Sequence, residues 1–250
     1  QDHRLQAHVL MPATGFLHIF LSAAQQMGRP LALENIVFSK ACFLDRARKI
    51  RTYLEEGSSQ LFVSSAPILE AAWEEHSSGC LWKPWDQKLE AFPQHLCRPE
   101  FEVPNFLTRG ATQSQFGPCF QGLAQVWESQ PVLLARVQAP VALVPELEEY
   151  PFHPALLDIC LQTSAASSDF RDARRVYLPA RLKRVHVRSK PGPQLWVLAR
   201  KAGYLQGQRL TDLVIYNHHF EPIAWLEGLL CLPIDGGASD RAELSSLLWR

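Results

Sequence analysis

The strongest constraint on the fold is that the chain contains the same kind of helix twice. Each half has one apolar helical segment introduced by proline and followed by strand-like runs. In the first half, Pro12 suits a first helical turn and Thr14 can act as a cap. Phe16, Ile19, Phe20, Ala23 and Ala24 repeat at helical spacing, and Gly28 and Pro30 end the helix. In the second half, "PFHPALLDICLQTSAAS" (151–167) is the equivalent segment. A helix this apolar must be covered on most sides. The short runs around it, rich in β-branched and aromatic residues, are the available cover.

Those runs are 33–44, 49–56 and 59–67 in the first half. In the second they are 175–189, 193–203, 209–219 and 221–234. The pattern predicts two α+β units, each an antiparallel sheet wrapped on one helix. Proline at 84, 93, 99 and 104 breaks any period across 83–115, which reads as a linker or surface excursion. The expected organisation is an N-terminal unit 1–85, a linker 86–112, a C-terminal unit 113–235 and a tail 236–250 ending in a short helix.

Lys plus Arg (25) equals Asp plus Glu (25), so the chain has no basic footprint for nucleic acid or an anionic membrane. No apolar run reaches the ~20 residues of a membrane span, and no signal peptide is visible. The six cysteines form no Cys-x-x-Cys pair, which excludes zinc ribbons and thioredoxin-like motifs. They read as small buried thiols of a cytoplasmic protein.

Two titratable groups flank the two helices, His3 and Asp158. If the halves pack side by side, these groups can face one another across the seam. A histidine is a suitable general base. A carboxyl against Leu156, Leu157 and Ile159 is pushed towards its neutral form and can act as an acid. Such a pair can remove a proton from one carbon and protonate a leaving oxygen on the next. The plain alternatives are a solvated terminal histidine and a helix-capping aspartate.

Four blocks bear on that choice. "HRLQAHVLMP" (3–12) resembles the His-x-x-x-Gly-x-x-x-x-Pro motif of dehydratase domains in polyketide synthases and animal fatty acid synthases. "FGPCFQGL" (116–123) resembles their Tyr-Gly-Pro-x-Phe-Gln-Gly-Leu block. "HPALLDICLQ" (153–162) is similar to His-Pro-x-Leu-Leu-Asp-x-x-x-Gln, and "YLPARLKRV" (177–185) to the strand after it.

The resemblance implies a double hot-dog fold, α+β, with two sheets each wrapping a central helix. It implies dehydration of a β-hydroxyacyl thioester by syn or anti elimination, with His3 taking the α-proton and Asp158 protonating the departing hydroxyl. Gln162 would hold the Asp158 carboxyl. Phe116, Gly117, Pro118, Pro12 and Ala7 would support the site, and backbone N–H groups of "FGPCF" are candidates to face the thioester oxygen. No metal or redox cofactor is implied; the substrate would arrive on the phosphopantetheine of an acyl carrier protein. Partners would be that carrier, neighbouring synthase domains and a second copy in a homodimer.

Ala7 replaces the motif glycine. Phe116 replaces a tyrosine whose hydroxyl helps hold the aspartate in the family. The family also has front strands ahead of the histidine, which leads one to expect an incomplete first sheet here. Double-bond isomerisation, pyran-forming or product-template cyclisation, and a silent docking scaffold are the alternative readings of the same fold.

The other histidines suit structural roles. His8 is expected to point away from His3, His76 to belong to a strand, His153 to shape the helix entry and His218–His219 to form a turn.

Overall fold

The structure is a computed structural model that describes residues 3–5, 8–84, 90–103, 114–166, 175–205 and 208–235. Ala7, the two ends of the expected linker (86–89 and 104–112) and the tail with its expected short helix fall outside these residues.

Two helices stand against the sheet, α1 (Ala13–Gln26) and α2 (Pro154–Ala165). Pro12 is the N-cap of α1, with extended backbone ahead of the first turn. Thr14 does not cap it: the residue lies one position inside the helix with its hydroxyl fully buried. Gly28, at φ 62°, ends the helix in the left-handed conformation that glycine adopts without strain. The buried face of α1 is Thr14, Phe16, Leu17, Phe20, Leu21 and Ala24. It is rotated from the expected face, because Leu17 and Leu21 are buried while Ile19 and Ala23 are partly exposed. Burial of Leu17, Phe20 and Leu21 stabilises by roughly 1.5–3 kcal/mol each.

The strands of the first half are β3 (Ala32–Phe38), β4 (Arg48–Leu54), β5 (Gln60–Pro67) and β6 (Glu74–Leu81). Those of the second half are β8 (Leu123–Ser129), β9 (Val132–Gln138), β10 (Arg175–Val187), β11 (Gln194–Leu205), β12 (Gln208–Tyr216) and β13 (Pro222–Asp235). They join in one ten-stranded sheet of order β4-β5-β6-β3-β10-β13-β12-β11-β9-β8. The two half-sheets meet where β3 pairs antiparallel with β10, Ile36 opposite Leu182 and Leu33 opposite Val185. Packing of α1 against α2 carries the seam into the core.

A smaller sheet closes over the helix entry. It consists of β1 (His3–Leu5), β2 (His8–Val9) and β7 (Ser114–Phe116) in the order β2-β1-β7. Within it His3 is registered opposite Phe116, so the first and second of the four sequence landmarks in chain order, the N-terminal histidine and the "FGPCF" block, share one ladder.

The described part of the proline-rich excursion lies on the outer face of the second half-sheet. Phe92 packs on Trp196, Tyr216 and Phe220, and the Tyr216 hydroxyl donates to the Glu90 carbonyl at 3.1 Å. Among the described residues the cysteines are not bridged by disulfides. Cys42 and Cys160 are buried, Cys80, Cys119 and Cys231 partly so, and Cys97 is exposed, contrary to the expectation of burial. Cys97 lies in this outer excursion, just after Leu96, which takes the apolar position facing the sheet.

Candidate active site

His3 is aimed by its own strand turn. Its Nδ1 lies 3.2 Å from the Leu10 carbonyl, an acceptor only, so Nδ1 carries the proton and donates it. The lone pair of the ring is therefore on Nε2, the form a general base needs. Phe116 and Phe120 flank the imidazole, with ring centres 5.8 and 5.4 Å away. These contacts and the β1–β7 register fix the ring on three sides.

Asp158 lies in the second turn of α2 and is 8 % exposed. Gln162, one turn further on, donates from Nε2 to Asp158 Oδ2 at 3.0 Å. The same group also lies 3.2 Å from the Phe120 carbonyl. Burial pushes the Asp158 carboxyl above its ordinary range. His3 and the hydrogen bond from Gln162 pull it back less strongly. Thr14 adds to that pull from α1. Its hydroxyl lies close enough to favour the ionised carboxyl, although it meets no acceptor at hydrogen-bonding geometry. Thr14 was not singled out as a site residue from the sequence, where it reads as a helix cap.

His3 and Asp158 line one cleft, about 540 Å³ in extent when its solvent-open mouth is included. Its wall is mostly apolar: Leu10, Met11, Pro12, Ala13, Phe16 and Phe38 from the first half, and Leu178 and Pro179 from the second. Among the described residues the two titratable groups make no direct hydrogen bond to one another. Lys40 is the further charged residue of the wall.

The other expected site residues divide clearly. Pro12 is in the wall. Gln162 stands behind Asp158, and Phe116 stands beside the His3 ring. Gly117 and Pro118 form the start of a short 3-10 turn and do not line the cleft. Ala7 lies outside the described residues. The rest of the wall carries no signal in single residue types, except that Leu178 and Pro179 lie inside "YLPARLKRV".

The other histidines singled out from the sequence take structural places. His8 meets Asp45 at 3.0 Å, and His153 caps α2 by accepting from the Ala155 N–H at 3.2 Å. His76 is buried in β6, and His218 and His219 occupy a turn. Among the described residues no group of three His, Cys, Asp or Glu side chains could hold a metal ion.

Family models match on both sides of the seam. Residues 108–241 match the model described as polyketide synthase dehydratase N-terminal domain, and residues 1–64 match polyketide synthase dehydratase domain. The chain belongs to the polyketide synthase dehydratase family. It is 26 % identical to the polyketide synthase GfsE of Streptomyces halstedii, over 99 % of this chain and 7 % of the relative. It is 28 % identical to the pikromycin polyketide synthase component PikAII of Streptomyces venezuelae, over 94 % of this chain and 6 % of the relative. This dehydratase chain thus spans less than a tenth of the length of these relatives. The dehydratase domain from the CurF module of curacin polyketide synthase superposes with TM-score 0.80 at 20 % identity, covering 93 % of this chain and 88 % of that one. That likeness shows the fold to be the expected double hot-dog, with its two sheets here continuous across β3 and β10.

Proposed function

We propose that this dehydratase chain removes water from a β-hydroxyacyl thioester carried on an acyl carrier protein, giving the α,β-unsaturated thioester. The observation that carries the reading is one apolar cleft holding a histidine with a free Nε2 and a carboxyl that burial biases towards its protonated form. An elimination needs these two proton states at once.

In the proposed reaction His3 Nε2 takes the proton from Cα, and the electrons of that bond form the Cα=Cβ double bond. The Cβ–O bond breaks as Asp158 gives its proton to the hydroxyl, which leaves as water. His3 then holds one proton too many and Asp158 one too few; transfer between them, directly or through solvent, resets the site. Gln162 keeps the carboxyl pointed into the cleft. No step requires a metal or redox cofactor.

Two solved neighbours support these roles. Both are curacin synthase dehydratases described as inactive mutants, one with histidine replaced by phenylalanine and one with aspartate replaced by asparagine. The length of the curated relatives supports neighbouring synthase domains, with a carrier protein among them, as partners, and a cytoplasmic setting belongs to the same proposal. The division into units 1–85 and 113–235, joined by 86–112 and followed by a tail from 236, belongs to the same proposal.

The test is mass spectrometry on a 3-hydroxyacyl thioester mixed with the wild-type chain, His3→Ala or Asp158→Asn. The wild type should remove one water from the acyl chain. Each variant should be slower by about 10²–10⁴-fold. Full activity in either variant overturns the roles, and an unchanged substrate mass with the wild type overturns the reaction.

A further inference from the structure

Beside the proposed chemistry, the wall of the cleft carries a cation held in place by a hydrogen-bond relay. The Arg48 Nε–H donates to Ser65 Oγ at 2.7 Å. The Ser65 hydroxyl donates to His76 Nε2 at 2.7 Å, and His76 Nδ1–H donates to the Lys40 carbonyl at 3.1 Å. The Lys40 N–H returns to the His76 carbonyl at 3.1 Å. Each link has one chemically consistent direction, which fixes the His76 tautomer and pins the Lys40 backbone from both sides. Ser65 and His76 are fully buried, so this chain of bonds is a support and not a second reactive centre.

The charges on that support do not cancel. The Glu74 carboxylate is shared by Lys40 Nζ, in close contact, and Arg48 Nη2 at 3.5 Å; His76 lies 3.8 Å from it. Burial keeps His76 below its ordinary pKa, hence neutral. Partial burial works against the Glu74 charge, but the Lys40 and Arg48 cations hold it below the ordinary carboxylate range. Two cations therefore share one anion, leaving a net positive charge.

This charge lies towards the solvent end of the cleft. Asp158 is 8 % exposed, whereas the Lys40 side chain is 40 % exposed and still lines the same wall. An elimination between His3 and Asp158 has no use for a cation there. A carrier-borne substrate does bring an anion that stays outside the chemistry, the phosphate that links its arm to the carrier.

We propose that Lys40, pre-set by Glu74 and the Arg48–Ser65–His76 relay, is a phosphate subsite for the phosphopantetheine arm. This rests on the reading of the cleft as the site of a carrier-borne thioester. Fixed cations recognise phosphate through charge-assisted hydrogen bonds, and pre-organisation lowers the cost of making them.

The test measures binding and needs no turnover. Stable thioether analogues built on pantetheine and on its 4′-phosphate differ only in the phosphate. The wild type should bind the phosphorylated analogue about 5–20-fold more tightly at low salt, with the preference shrinking as salt is added. Lys40→Met, which keeps an unbranched stem, should bring the ratio close to one, and Lys40→Arg should retain most of it. A wild type with no preference, or a Lys40→Met protein that keeps the full ratio, overturns the subsite. A third analogue, unphosphorylated but ending its acyl chain in a carboxylate, tests the other source of an anion. Lys40-dependent tight binding of that analogue without a phosphate preference also overturns it. Failure of the dehydration reading would appear separately, as an unchanged substrate mass.

Discussion

Gln162 donates to Asp158 Oδ2 at 3.0 Å from one helical turn away, and the same Nε2 group lies 3.2 Å from the Phe120 carbonyl. One amide thus connects the buried carboxyl of α2 to the turn that flanks the His3 ring. The hydrogen bond favours the ionised carboxyl, so its removal should raise the Asp158 pKa further and free the side chain to turn. Gln162→Leu is expected to lower kcat by about 10-fold, as loss of a supporting contact commonly does. Because the proposed acid must be protonated, the high-pH limb of the pH–rate profile should move to higher pH. A fall in kcat with an unmoved limb would assign Gln162 a packing role alone.

The same carboxyl should make Asp158 costly to the fold. Its folded pKa is raised above the ordinary 3.8, so the folded state binds its proton more tightly than the unfolded chain does. This group's contribution to stability is most favourable below that ordinary value. It is lost as pH rises towards the folded pKa. Asp158→Asn removes the titration and keeps the shape. Thermal melts at pH 7 should show it a few degrees more stable than the wild type, with the difference disappearing near pH 4. A variant less stable at pH 7 would mean that the carboxylate is well solvated or well paired in the fold.

Proline-led apolar helices and β-branched runs make the double unit legible in the sequence, because both patterns are local. The face of α1 is less legible: Ile19 and Leu17 are equally apolar, and only the sheet decides which is covered. Strands β8 and β9 are not among the runs read from the sequence, although Gly122, Pro131 and Pro140 punctuate them, and in the polar β6, "EEHSSGCL", only His76 is placed in a strand. His3 and Asp158 stand out in the sequence as titratable groups beside the two apolar helices, while Gln162 is implied by the family resemblance alone. Thr14 and Lys40 do not stand out, since a helix-start threonine and a lone lysine have plainer uses. Their proximity to the cleft comes from the packing of α1 against α2 and from the loop after β3.

Acid should weaken this fold through its histidines. Burial holds His18, His76, His153 and His186 below the ordinary 6.5, His186 down to about 4 with Arg188 adding to the effect. In the unfolded chain these groups take up protons as pH falls through 6.5, while the folded state resists. Their contribution is therefore complete above that value and declines between it and the lower folded pKa values. Urea midpoints should fall steadily from pH 7 to pH 5. His153→Asn keeps a side-chain acceptor for the α2 cap but cannot titrate, so its midpoint should fall less steeply. An identical slope would remove His153 from the set.

Gly122 gives a physical reason for the glycine of the "FQGL" block. A Cβ built there would lie 2.6 Å from the Gln138 carbonyl oxygen and 2.8 Å from Ile159 Cδ1. The first neighbour is backbone: the Gln138 N–H donates to the Gly122 carbonyl at 2.8 Å, so that strand cannot retreat without losing a bond. The second belongs to the residue next to Asp158 on α2. Gly122→Ala should cost about 1–3 kcal/mol of stability, as overpacking of a tight site does. It should also displace Ile159 and with it the carboxyl, so activity should fall beyond what the unfolded fraction explains. Urea denaturation together with kcat measured well below the melting temperature checks both parts. A stable, fully active Gly122→Ala protein would show that β9 and α2 yield more easily than this packing allows.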